Sequence, residues 1–179
     1  MTPSLTDLTG LKHAELEALH RDGNPVRLAD VSGFTFDGIN LTRPPFVRRL
    51  TWTKFTKTFH QDPSGQVRGW NEGVEQNGLE APWTPRSRRG QRVVYGHYDV
   101  TEAEWGLTIR YSTRAGSPPA RLDPSRMLFD PLVSLDPNTA DLLLGYTYWS
   151  VGRLRLNTPT WFALRRGHAL DFIASVRSG

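Results

Sequence analysis

The sequence predicts a mainly β chain, an antiparallel sheet curled into a barrel or half-barrel with one N-terminal helix, and three observations carry that prediction. After Pro25 the chain is punctuated at short intervals by Gly, Pro, Asn and Asp, and the stretches between are rich in aromatic and β-branched residues. In the clearest of them Trp105, Leu107, Ile109 and Tyr111 alternate with Gly106, Thr108 and Arg110, as in an antiparallel strand with one face buried. The candidate strands are also too many for one flat sheet, so their edges must be resolved by closure or by splitting into two layers.

The helix comes first. Leu8, Leu11, Ala18 and Leu19 fall near one stripe, with Glu15 and Glu17 opposite, and Thr6 or Thr9 can cap the start. Asp22-Gly23-Asn24-Pro25 ends it, because glycine tolerates the left-handed cap and proline cannot continue the ladder. A helix over residues 6–22 and a barrel over 31–177 make one domain spanning 1–179. The candidate strands are Phe34 to Leu41, Thr51 to Phe59, Val67 to Gln76, Gln91 to Val100, Trp105 to Tyr111, Met127 to Leu135, Leu142 to Val151, Thr160 to Arg166 and Leu170 to Val176. Residues 77–90 and 115–126 carry clustered Gly and Pro and read as loops. A barrel is preferred to a sandwich because several strands present aromatic or hydroxyl groups on both faces. Tyr95 and His97 stand against Val94 and Tyr98, and Tyr146 and Tyr148 against Thr147 and Trp149. Such strands suit a wall with a partly polar cavity on one side.

Composition removes several classes. Cysteine is absent, so no disulfide, thiolate ligand or cysteine nucleophile exists, and a cytoplasmic location is expected. Residues 1–10 lack the basic and apolar regions of a leader, and no apolar run approaches the roughly 20 residues that span a bilayer. No membrane partner is therefore expected. The net charge is +4, with Lys12, Lys54 and Lys57 the only lysines among 22 basic residues. That balance suits solubility and association and leaves a homo-oligomer open.

No Gly-rich phosphate loop, dinucleotide fingerprint or Gly-x-Ser-x-Gly elbow is present, and the five histidines have no metal-ligand spacing. Neither a metal nor a cofactor is expected. Alternation places Tyr95, His97 and Asp99 on one side of one strand, where a phenol, an imidazole and a carboxylate form a candidate acid–base set. An outward-facing polar strand face is the plainer reading of the same three residues. Lys54 and Lys57 point to opposite faces of their strand, so at most one lines a cavity, and Lys54 completes the catalytic candidates as anion clamp or base. The chain holds 19 aromatic residues, six Trp, five Tyr and eight Phe, more than alternation alone would bury. Phe36, Trp52, Trp70, Trp105, Tyr111, Tyr146, Tyr148 and Trp161 are the candidate ligand-binding rings. Trp83 beside Arg86, Arg88, Arg89 and Arg92 offers a stacking patch for single-stranded nucleic acid, but a solvated loop explains the run more simply, and nucleic acid is the less favoured partner.

Four segments in order carry a resemblance: Ser32 to Gly38, Lys54 to Phe59, Asp130-Pro131-Leu132-Val133 through Asp141 to Gly145, and Trp161 to Arg166. They resemble small bacterial proteins with a Gly-x-Trp-x-Gly motif after an N-terminal helix and, more distantly, the calycin or lipocalin-like barrels. In this chain Phe replaces the tryptophan and the glycines stand one residue further apart. The resemblance implies a curled antiparallel sheet with a helix across one end and an apolar ligand inside, and transfers no catalytic residue. The functional expectation is a barrel that binds a small apolar or aromatic molecule in an aromatic-lined pocket. The alternatives are a cofactor-independent isomerase, cyclase or lyase on the same scaffold, and nucleic-acid binding through the Arg86 to Arg92 loop.

Overall fold

A computed structural model of the chain describes residues 3–42, 53–111, 127–151 and 154–174. A 3-10 turn (Asp7–Gly10), α1 (His13–Arg21) and α2 (Leu28–Val31) precede ten strands. These are β1 (Phe34–Thr42), β2 (Lys54–Gln61), β3 (Val67–Gly73), β4 (Ser87–Arg88), β5 (Gln91–Arg92), β6 (Val94–Ala103), β7 (Gly106–Tyr111), β8 (Leu128–Ser134), β9 (Leu142–Val151) and β10 (Leu154–Ala169). Eight of them close an antiparallel barrel in the order β1-β2-β3-β6-β7-β8-β9-β10, and β10 returns to pair with β1. Among the described residues the barrel strands follow one another as a meander, with the small β4–β5 hairpin inserted between β3 and β6. Closure leaves no unpaired edge, which is how a long run of short strands avoids pairing with other chains.

The helical segment differs from the single helix expected over residues 6–22. The chain breaks between the 3-10 turn and α1, where Lys12 is extended and its N–H donates to the Glu15 carboxylate at 2.7 Å, a cap that starts a new helix. Nor does α1 lie across an end. Leu16 packs with Val133, Leu144 and Trp161, while Leu5 and Leu8 pack with Ile39, Leu142 and Ala163. The N-terminal segment therefore covers the outer wall. The short α2 closes one end instead, where Val26 and Val31 join the inward cluster of Phe36, Phe59, Val100, Leu107, Ile109, Leu132, Leu143 and Leu164.

The final strand expected at residues 170–176 does not form over the described part, 170–174. The Leu170 N–H donates to the Gly33 carbonyl at 2.8 Å, and Phe172 then turns edge-on to Trp70 on the outer wall. The expected strand at 160–166 is instead the middle of the long β10, which begins as a hairpin arm against β9.

Candidate functional site

The half of the barrel interior away from α2 is hollow. A cavity of about 370 Å³ is lined by Asn40 of β1, Phe55 and Lys57 of β2, Asn71 of β3, Tyr95 of β6, Tyr111 of β7, Asp130 of β8, Thr147 of β9, and Thr160 and Phe162 of β10. Each of the eight strands contributes at least one residue, because closure turns the same face of every strand inward.

The floor is a buried polar network. On β2 the inward face reads Phe55, Lys57, Phe59, and Lys57 stands directly opposite Asn71 in the ladder. The Lys57 Nζ donates to Asn71 Oδ1 at 2.9 Å and to the Tyr111 hydroxyl at 2.7 Å. Tyr111 in turn donates to Asp130 Oδ2 at 2.8 Å, and the Thr147 hydroxyl donates to Asp130 Oδ1 at 2.9 Å. Lys57 and Asp130 are 3.5 Å apart, with each side chain 2% exposed. Four rings surround the ammonium, with centroids at 4.8 Å for Tyr98, 5.0 Å for Tyr111, 5.3 Å for Phe162 and 5.8 Å for Phe55. Ring faces and a carboxylate are what a desolvated cation requires. Burial lowers the Lys57 pKa from its usual 10.5, and the nearby Asp130 charge opposes that shift without cancelling it. Burial and the Asp130 charge push the Tyr111 phenol well above 10, so it stays protonated and able to donate.

Tyr95 reaches the cavity through a bulge. Alternation alone would put it beside His97, but β6 slips by one residue against β3, pairing Gly69 with Tyr98 and Asn71 with Tyr95. Gly96 absorbs the slip at φ +55°, a left-handed conformation open to glycine. Tyr95 thereby turns inward with Tyr98 and Tyr111, while His97 stays outside. The expected acid–base set is accordingly divided. His97 packs toward Trp70, with ring centroids 6.2 Å apart, and Asp99 pairs with Arg68 at 3.1 Å, both on the outer wall. Lys54 also faces outward, as alternation demands if Lys57 faces in. Its Nζ donates to Asn77 Oδ1 and to the carbonyls of Gly78, Ala81 and Pro82 at 2.8 to 3.2 Å, and it sits 4.1 Å from the Trp83 ring. It ties a loop to the wall and does not enter the cavity.

Of the eight expected ligand-binding rings, Tyr111 lines the cavity. Phe36 points inward but lies in the packed half, edge-on to Phe59 at 5.3 Å. Trp70 is buried on the outer wall of β3 beside His60. Trp161 is held under α1, its Nε1 donating to His13 Nδ1 at 2.8 Å. Trp105, Tyr146 and Tyr148 line a separate outer depression with His20 and Arg155. Trp52 lies outside the described residues. The lining that sequence reasoning missed consists of Asn40, Phe55, Lys57, Asn71, Asp130, Thr147, Thr160 and Phe162. One signal was present: Lys57 shares strand parity with Phe55 and Phe59, whereas Lys54 shares it with Thr56 and Thr58.

The Arg86 to Arg92 segment is partly neutralised within the chain. Arg92 bonds Asp171 at 3.1 Å and approaches the buried Glu72 at 3.5 Å, and Arg86 lies 3.7 Å from Glu75. Among the described residues no group of three or more His, Asp or Glu side chains is arranged to hold a metal ion, and no helix is long and apolar enough to cross a membrane. Comparison with known protein families and with curated proteins finds no match for this chain.

Proposed function

We propose that the barrel binds a small organic molecule in the hollow half, its polar head on the Lys57, Asn71, Tyr111 and Asp130 network and its apolar body against Phe55 and Phe162. The observation that carries this reading is a buried ion pair on the floor of a cavity. Two desolvated charges stabilise a fold weakly at best, and apolar side chains of similar volume would fill the same space at less cost. Charged groups kept where a guest meets them, beside an apolar wall, are the usual composition of a ligand site, and about 370 Å³ lies within the usual range of such sites. The resemblance to calycin barrels points the same way. The guest is more polar at one end than the sequence suggests, because the cavity wall is shared between rings and hydrogen-bonding groups instead of being mainly aromatic.

Thermal unfolding with compact aromatic alcohols, cinnamyl alcohol and indole-3-ethanol among them, tests the reading. At ten times the Kd a bound guest adds about 1.4 kcal/mol, which for a chain of this size raises Tm by about 3 to 6 °C. Thr160→Trp fills the cavity from β10 and removes the shift. A panel of such compounds that leaves the wild-type Tm unmoved sinks the proposal.

A further inference from the structure

We propose that Lys57 is a nucleophile, and that the cavity condenses it with an aldehyde or unhindered ketone carried on a flat apolar body, forming an imine. The inference rests on the binding site proposed above and adds a covalent step to it.

The geometry supplies each requirement of the step. Lys57 lines the cavity and its Nζ lies 5.3 Å from the Phe162 ring centroid and 5.8 Å from that of Phe55, so a carbonyl group seated against those two rings is within reach of it. An ammonium is not a nucleophile and must first lose a proton. The route is in place: Lys57 donates to the Tyr111 hydroxyl at 2.7 Å, and that hydroxyl donates to Asp130 at 2.8 Å. Moving one proton along each of these two bonds leaves a neutral amine and a neutral carboxylic acid, with the phenol restored. Away from water such a neutral pair competes with the ion pair, since both charges are lost together. Burial of Lys57 favours the same direction.

The amine lone pair then forms a C–N bond to the carbonyl carbon as the C=O π pair moves onto oxygen, and one proton passes from the nitrogen to that oxygen, giving a neutral carbinolamine. The proton held on Asp130 goes to the carbinolamine hydroxyl, the C–O bond breaks, and water leaves. The product is a protonated imine on Lys57 facing the Asp130 carboxylate, so one carbonyl and one ammonium yield one iminium and one water without oxidant or cofactor. The rings of Tyr98, Tyr111, Phe162 and Phe55 around Nζ accept that delocalised cation as they accept the ammonium. An iminium withdraws electrons from the adjoining carbon, so the guest becomes open to proton loss, carbon–carbon cleavage or decarboxylation at that position.

The test uses the full chain and cinnamaldehyde, with cyanoborohydride to reduce any imine at neutral pH, followed by peptide mapping. Peptide mapping separates Lys12, Lys54 and Lys57 from one another and from the α-amino group, which alkylates in any protein at neutral pH. The expected result is that Lys57 is the lysine that takes the cinnamyl adduct, at least about tenfold faster than the exposed Lys12. Tyr111→Phe breaks the relay and slows the adduct on Lys57; an unchanged rate removes the relay from the mechanism. Cinnamyl alcohol, of the same shape without the carbonyl, is run in parallel by thermal shift. A shift with the alcohol but no adduct on Lys57 overturns the condensation and leaves the binding site standing. No shift with the alcohol together with no adduct on Lys57 overturns both.

Discussion

The two halves of the barrel interior are built from the same strands and filled differently. Toward α2, Phe36, Phe59, Val100, Leu107, Ile109, Leu132, Leu143 and Leu164 form a solid apolar plug. Toward the other end the same inward faces carry Asn40, Lys57, Asn71, Asp130, Thr147 and Thr160 around a hollow. On β2 the change takes two residues, from Phe59 at 0% exposure to Lys57 at 2%. The fold therefore needs only half of its interior as a core. Packing there is dense enough to hold eight strands closed, which frees the other half to carry groups that cost stability.

The two halves differ most at the ion pair. Lys57→Met or Asp130→Leu alone leaves an uncompensated buried charge and is expected to cost about 3 to 5 kcal/mol, whereas the double substitution returns to within about 1 kcal/mol of the parent or exceeds it. Denaturant unfolding of the four proteins measures the coupling. Equal and additive losses would mean that water already solvates the pair. The plug is next. Phe59→Ala opens a void in the packed half and costs about 3 to 5 kcal/mol. Phe55→Ala, on the same strand and face but already bordering the cavity, costs about 1 to 2 kcal/mol less, because fewer atoms surround the ring it removes. If the two substitutions prove equally costly, the hollow half is filled in solution.

The barrel was legible in the sequence because closure follows from many short alternating strands whatever their partners. The site was harder to read. It is made by residues from all eight strands, and which face of a strand turns inward depends on register with neighbours far along the chain. Aromatic rings were a poor guide, since this barrel buries them on both sides of its wall: Trp70 and Trp161 lie outside under Phe172 and α1. A charged residue between two phenylalanines of equal parity was the better guide. On that test Lys57, flanked by Phe55 and Phe59, faces in, and Lys54, sharing its parity with Thr56 and Thr58, faces out. Asp130 likewise stands between two apolar residues of equal parity, Leu128 and Leu132 on β8.

The Gly96 bulge accounts for the division of Tyr95 from His97, and a glycine inside an alternating strand was its only mark in the sequence. Gly96→Ala forces a side chain into a left-handed conformation and brings its Cβ to 2.6 Å from Asn71 Nδ2. We expect a loss of about 1 to 2 kcal/mol from the backbone, together with weaker binding of cinnamyl alcohol as Asn71 shifts away from Lys57. Undiminished binding in a destabilised variant would show that the bulge serves the wall and not the cavity.

The smallest effect lies on the outer wall. His60 packs on Trp70, with ring centroids 5.3 Å apart, its buried Nδ1 has no hydrogen-bond partner among the described residues, and burial holds its pKa below 6.5. Between that lowered value and 6.5 the unfolded chain takes up a proton that the folded chain refuses, so stability falls as the pH drops through the window. His60→Phe removes both the orphaned nitrogen and the titration. At neutral pH the change is within about 0.5 kcal/mol, and below pH 6.5 the variant loses less stability than the parent, as urea unfolding across that range would record. Identical pH slopes in the two proteins would move the acid sensitivity to His97 or His20, whose pKa values burial also lowers.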